Sequence, residues 1–113
     1  MMIKAAEHAE KDQVSYGHVY VMTHSFFSDV IKIGCTPIEP NEHAKALSAK
    51  TLGDFKVVFS LACHNPCQVL KKIREYLNAK AYVADFYQVP AEIAERLLTR
   101  ETLRIPIYSH RQT

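Results

Sequence analysis

Two short alternating runs near the N-terminus constrain the fold of this chain more than any other feature. HVYVM (18–22) and VIKIG (30–34) are separated by the polar break THSFFSD (23–29). In each run, every second side chain is apolar, which is the period of a strand with one buried face. The Ser, Thr and Asp residues of the break favour a turn. The two runs therefore predict an antiparallel hairpin.

The segments that follow alternate between a helical and a strand-like period. A helix is predicted from Pro40, with Asn41 as its cap. FKVVFSLA (55–62) predicts a third strand with its alternate apolar residues on one face. Asn65 and Pro66 suit the cap and the first turn of a second helix. Its apolar stripe comprises Val69, Leu70, Ile73 and Leu77.

The C-terminal part predicts a short extended or turn segment, VADFYQV (83–89), and then a last helix from Pro90 to about Leu98. The buried side of that helix is expected to comprise Ile93, Ala94 and Leu97. The tail LRIPIY (103–108) predicts an edge strand, because Pro106 cannot donate a hydrogen bond in a central one.

These segments predict an α+β fold, in which a small central antiparallel β-sheet is flanked by helices in the order β-β-α-β-α-α. A chain of 113 residues is expected to form one domain. Residues 1–16 are polar and rich in alanine, and they predict an N-terminal arm or short helix ahead of a domain at 17–113.

Composition limits the possible classes of protein. Apolar residues make up 48% and charged residues 23%, as in a folded domain, and the net charge of +2 is compatible with nucleic acid. No apolar run is long enough to predict a membrane span, and the N-terminus lacks the apolar core of a secretion signal. Three cysteines without such a signal predict free thiols and a cytoplasmic location.

The hairpin resembles the signature of the GIY-YIG nuclease superfamily. HVY (18–20) stands at the first tripeptide of that signature, and KIG (32–34) stands at the second, as in the phage-type branch of the family. The resemblance extends through the helix segment EHAKALS (42–48) to DFY (85–87), where the family has E-F-F. It implies a GIY-YIG-like domain that acts on DNA.

The resemblance also implies a set of site residues. The family cleaves phosphodiester bonds with one divalent metal, Mg²⁺ or Mn²⁺, and its first tyrosine, which helps to activate water, corresponds to Tyr20. The catalytic arginine of the family corresponds to His43, and its metal-binding glutamate corresponds to Asp85. Gly34 corresponds to the glycine that permits a close backbone approach.

Three of the polar positions depart from the family pattern. His43 replaces the permanently charged guanidinium of arginine with an imidazole that is mostly neutral near pH 7. Asp85 carries its carboxylate one methylene closer to the backbone than glutamate does. Arg74 stands where many relatives have a histidine. Metal-dependent hydrolysis is therefore expected to be weakened or lost.

Several basic residues are candidates for contacts with nucleic acid: Lys32, Lys45, Lys71 and Arg74. Helical lysines usually form only a solvated face, and they matter here only if they share one surface with Tyr20. Lys32 either extends along a sheet edge or points into a cleft, where it would attract phosphate or act as a catalytic base.

Two further motifs leave alternatives open. Phe26 and Phe27 in the hairpin break either fold onto the core or stay exposed, where they would contact a protein partner or stack on bases. CHNPC (63–67) resembles a zinc motif, but a helix starting at Pro66 would separate its cysteines, and buried reduced thiols are favoured.

Three functions compete on this evidence. The first is a small Mg²⁺-dependent DNA endonuclease that uses Tyr20, His43 and Asp85. The second is a non-catalytic relative that binds nucleic acid, or a protein in the manner of a phage or mobile-element factor. The third is an unrelated α+β interaction domain.

Overall fold

The computed structural model describes residues 16–77, 81–83 and 85–112. The elements in chain order are β1 (Tyr16–His24), β2 (Phe27–Thr36), α1 (Pro40–Ala49), β3 (Phe55–His64), α2 (Pro66–Leu77), β4 (Ala81–Val83), β5 (Phe86–Tyr87) and α3 (Ala91–Gln112). The α+β fold class predicted from the sequence is confirmed. The arm predicted for residues 1–16 lies outside the described residues, apart from Tyr16 at the start of β1.

The strands of the described residues form one antiparallel sheet in the order β3-β1-β2-β5-β4. The predicted hairpin is β1 and β2, in which Tyr20 lies opposite Gly34 and Met22 lies opposite Lys32. β1 lies between β2 and β3, and helices pack over it on both faces of the sheet. This explains why the run from Val19 to Met22 is buried without interruption.

A hydrophobic core lies on each face of the sheet. Val19, Val21 and Ile33 pack on one face with the apolar stripe of α2 and with Ala94 and Leu98 of α3. On the other face, a smaller cluster contains Tyr20, Met22 and Ala44 of α1. The predicted alternation along β1 is thus confirmed, and it places the Tyr20 ring beneath α1.

A β-bulge in β3 changes the prediction that its alternate apolar residues share one face. Val21 lies opposite Phe59 while Met22 lies opposite Val57, so that Val58 is an extra residue in the ladder. Phe59 and Leu61 therefore pack on the α2–α3 face. Phe55 and Val57, however, pack on the α1 face. The prediction of a single apolar face was wrong because a bulge shifts the strand period by one residue.

The helix starts also differ in part from expectation. Glu39, not Asn41, caps α1, since its side chain accepts a hydrogen bond of 3.0 Å from the backbone N–H of Glu42. The start of α2 at Pro66 is confirmed, and the Asn65 carbonyl accepts hydrogen bonds from Gln68 and Val69.

The last helix is longer than predicted. LRIPIY (103–108), which predicted an edge strand, lies within α3. The buried residues Ala94, Leu98 and Glu101 are spaced at a helical period that carries the helix past Leu98. Ile93 is 40% exposed, so its predicted burial was wrong. Among the described residues, no helix combines the length and the apolarity that crossing a bilayer requires.

A buried carboxylate joins α2 to α3. Glu101 is 1% exposed, and it accepts hydrogen bonds from the Tyr76 hydroxyl at 3.0 Å and from Arg104 at 3.4 Å. The Arg100 guanidinium lies over the Tyr76 ring, 5.0 Å from its centroid. A buried acid that loses such a partner retains its desolvation cost without compensation.

Tyr76→Phe is expected to lower the free energy of unfolding by about 1–3 kcal/mol, because it removes a donor to Glu101 and keeps the ring beneath Arg100. Urea unfolding of the two proteins measures the difference. Tyr16→Phe is a matched control, since the Tyr16 side chain is 55% exposed. Equal stability of wild type and Tyr76→Phe would contradict a role for this contact.

Candidate functional site

Tyr20 and His43 form a hydrogen-bonded pair between the sheet and α1. The Tyr20 hydroxyl lies 3.2 Å from Nε2 of His43, and the two rings are tilted with centroids 5.4 Å apart. The cap at Glu39 places His43 in the first turn of α1, where its backbone N–H donates to the Glu39 carbonyl. The position of the imidazole therefore depends on how α1 begins.

Gly34 allows the Tyr20 hydroxyl to lie directly on strand β2. A Cβ added at Gly34 would overlap that hydroxyl, and it would lie 2.6 Å from the adjoining ring carbon. No real side chain tolerates such a contact, so any residue larger than glycine would displace the ring. The glycine of the second tripeptide is thus required here by close approach of the phenol.

Burial and neighbouring charges set the protonation states of this pair. Burial, and then the charges of Cys35 and Asp85, raise the pKa of Tyr20 well above its usual range. Burial, and then the positive charges of Lys32 and Lys50, lower the pKa of His43. At neutral pH the pair consists of a protonated phenol and a neutral imidazole.

Asp85 lies beside this pair, between strands β4 and β5, and it is held by two cations. Its Oδ1 accepts a hydrogen bond of 2.6 Å from Arg74 of α2, and its Oδ2 lies 3.7 Å from Nζ of Lys32. Its backbone has a φ of 70°, in the left-handed region, and its carbonyl accepts a hydrogen bond from Ile33 of β2. Aspartate adopts this conformation more readily than most residues, and the turn directs its carboxylate towards both cations.

These groups lie in one neighbourhood, since their charges act on one another. The Asp85 charge raises the pKa of Tyr20, and the Lys32 charge lowers the pKa of His43. We call these five side chains the polar cluster: Tyr20, Lys32, His43, Arg74 and Asp85. Two cations and one carboxylate give this set a net positive charge, which favours an anionic ligand.

The other basic candidates lie elsewhere. Lys45 lines an open groove of about 540 Å³ between α1 and β3, with Lys56 on its other wall. Lys45 also forms an exposed ion pair with Glu42 at 3.5 Å. Lys71 is exposed on α2, one turn before Arg74. Of the four predicted basic contacts, only Lys32 and Arg74 adjoin Tyr20 and His43.

Two neighbours of the site, Lys50 and Cys35, were not among the predicted site residues. Lys50 lies two helical turns after His43, so the helical period alone would have placed both on one side of α1. Cys35 follows Gly34, and its thiol lies 3.9 Å from that of Cys67. Burial, and then interactions with Cys67, raise the pKa of Cys35 to about 12. Cys63 is a buried thiol of the core.

The donor set around Asp85 does not suit a hard divalent cation in this arrangement. One carboxylate oxygen is hydrogen-bonded to Arg74 and the other faces Lys32, so a metal ion would lie beside two positive charges. In the part of the chain that the structure describes, no group of three or more His, Cys, Asp or Glu side chains could hold a metal. The arrangement is better suited to holding an oxyanion than to activating a metal-bound water.

Comparison of the chain with protein-family models, with curated proteins and with solved structures gives no match in any of the three.

The pKa of His43 is expected to lie below 6.5, its ordinary value, in the folded protein. Since the unfolded chain then binds a proton at higher pH than the folded chain, His43 contributes stability above pH 6.5 that is lost as the pH falls. An NMR titration of the imidazole protons measures the midpoint. Lys50→Gln is expected to raise it, because one repulsive charge is removed. A midpoint at or above 6.5 in the wild type would contradict this environment.

Proposed function

We propose that this protein binds DNA on a GIY-YIG-type nuclease fold, and that its metal-dependent phosphodiester hydrolysis is weakened or lost. The observation that carries the proposal is the Asp85 carboxylate, held between Arg74 and Lys32 beside the Tyr20–His43 pair. The same observation supports both parts of the proposal. It provides cations for a phosphate, and it engages the only carboxylate of the polar cluster.

The cation pair supports phosphate binding. Arg74 presents a planar fork that matches the oxygens of carboxylate and phosphate alike, and Lys32 adds a point charge from a separate element. Their side chains are 51% and 14% exposed, which leaves Arg74 accessible and Lys32 partly desolvated. A phosphate of the DNA backbone would compete with the Asp85 carboxylate for these donors. Binding of this kind releases counterions and weakens as salt is added.

Three features support weak hydrolysis. The raised pKa of Tyr20 disfavours the phenolate, so the phenol is a poor base for water. The lowered pKa of His43 leaves no permanent cation at the position where the nuclease family has arginine. The Asp85 carboxylate is already paired with Arg74. If cleavage survives, Mg²⁺ or Mn²⁺ would have to displace these cations from Asp85.

The alternative is a non-catalytic, protein-binding factor of phage or mobile-element type on the same fold. The observation that favours it is the exposure of Phe26 and Phe27, 64% and 48%, at the hairpin tip. Exposed aromatic side chains of this size are common anchors at protein interfaces. With either function, the free thiols support a cytoplasmic location.

DNA affinity is expected to fall steeply with added salt. In Arg74→Gln or Lys32→Gln, the slope of the logarithm of the binding constant against the logarithm of the salt concentration is expected to be smaller by about one, because one phosphate contact is lost. Fluorescence anisotropy with a labelled DNA, measured over a salt series, gives both quantities. Lys72→Gln is a matched control, because it removes the same charge from the opposite side of α2, where Lys72 pairs with Glu75 at 3.6 Å. Flat salt dependence would favour the protein-binding alternative.

Asp85→Asn is expected to tighten DNA binding, because it frees Arg74 and Lys32 while keeping a residue that tolerates the left-handed backbone. Anisotropy measures the affinity.

Cleavage is measured by plasmid nicking with Mg²⁺ or Mn²⁺, and it is expected to be feeble in the wild type. His43→Arg is expected to raise cleavage by restoring a cation. Robust wild-type cleavage that Tyr20→Phe and Asp85→Ala abolish would overturn the proposed loss of activity.

A further inference from the structure

We propose that the aromatic side chains beside the hairpin tip, on the α1 face of the sheet, form a stacking surface for unpaired nucleobases, so that the protein prefers single-stranded DNA. This inference rests on the proposed DNA binding and assigns a ligand class to it. The surface, which we call the aromatic strip, comprises the exposed Phe27 ring and the half-buried rings of Phe55 and Phe86, which the buried His24 ring connects.

The rings of the aromatic strip are in continuous contact. His24 lies against Phe27 and Phe55, with centroid distances of 5.3 and 4.7 Å. Phe55 lies 6.2 Å from Phe86, and Nζ of Lys32 lies 5.6 Å from the Phe86 centroid. The strip therefore begins at the hairpin tip and ends at Lys32, a cation of the polar cluster.

The strand register places the strip and the site on the same face. Residues directly opposite in an antiparallel pair project to the same side. Phe27 lies opposite His24, and Lys32 lies opposite both Met22 and Phe86. Met22 packs with Tyr20 beneath α1, which identifies the face. The β1 partners of Phe27 and Lys32, His24 and Met22, are two residues apart, because the ladder is irregular between them. At strand spacing this is roughly 7 Å, or about two base steps.

The exposed rings are not needed to hold the turn at the hairpin tip. Polar hydrogen bonds fix that turn: the backbone N–H of Ser25 donates to the Asp54 carbonyl at 3.0 Å, and the Ser25 hydroxyl accepts from the backbone N–H of Asp54 at 2.9 Å. The backbone N–H of Phe26 donates to Nδ1 of His24 at 3.1 Å. Phe27 nevertheless remains 48% exposed and Phe26 64% exposed, so their faces are available to a ligand.

The occupant follows from the combination of rings and cations. Every base of a single strand has a π-face beside a phosphate, and such strands bind where aromatic side chains adjoin positive charge. Lys32 and Arg74, which both approach Asp85, supply positive charge at the end of the strip. The bases of a duplex are stacked on one another inside the helix, and they cannot reach side chains on the surface of a sheet. A protein partner would use the same apolar area without requiring planar rings.

The experiment compares three fluorescent probes at one salt concentration: a short oligothymidine, a strand of the same length that lacks bases, and a duplex. The full chain is expected to bind oligothymidine most tightly. Phe27→Leu is expected to weaken that binding about 5- to 100-fold, because it removes a ring and keeps an apolar side chain. Phe27→Tyr keeps the ring and is expected to bind like the wild type. Leu52→Ala, at a position 83% exposed, is the control for loss of apolar surface.

The outcomes distinguish failure of base stacking from failure of the proposed DNA binding. Equal affinity for the baseless strand, or tighter binding of the duplex, would overturn stacking while leaving salt-dependent phosphate binding intact. Binding by Phe27→Leu that matches the wild type would also overturn it, and would favour protein contact at these rings. If none of the three DNAs binds, the proposed function fails as well. If Phe27→Leu does not fold, Phe26→Leu is the second test, since Phe26 lies at the more exposed turn position. It is expected to weaken oligothymidine binding. Unchanged affinity would overturn the inference.

Discussion

The contact between the Tyr20 hydroxyl and the backbone at Gly34 is the constraint on which the rest of the site depends. It exists because β1 and β2 pair in a register that sets the phenol opposite a residue without a Cβ. With the ring in this position, α1 packs over it and His43 reaches its hydroxyl. A hairpin slipped by one residue would send Tyr20 to the other face and remove the site.

Charge balance around this contact decides what the site can do. Two cations from β2 and α2 meet a single carboxylate from the turn before β5, and a third cation lies near His43. The electrostatic environment that suits a phosphate also disfavours ionisation of the phenol and protonation of the imidazole, both through burial and through neighbouring charge. The proposed anion binding and the proposed weak acid–base chemistry would thus be two consequences of one arrangement.

Prediction from sequence succeeded where a local pattern had only one structural solution, and it failed where a long-range contact overrode the pattern. The alternation from His18 to Met22 predicted a hairpin strand, and the apolar stripe of α2 predicted a helix with one buried face. In β3, however, the extra residue Val58 places Phe59 on the opposite face of the sheet from Val57. Likewise, α3 runs past Leu98, where Glu101 contacts Tyr76 of α2, and it includes LRIPIY despite the local proline signal.

The sequence by itself determined the fold class and the hairpin, because strand and helix periods are local properties of a chain. Only the tertiary structure decided which of the basic residues adjoin Tyr20, that Asp85 is paired with Arg74 and Lys32, and that the pKa of His43 is lowered. Those features depend on distances between elements far apart in the chain and on burial, and neither can be read from spacing along it.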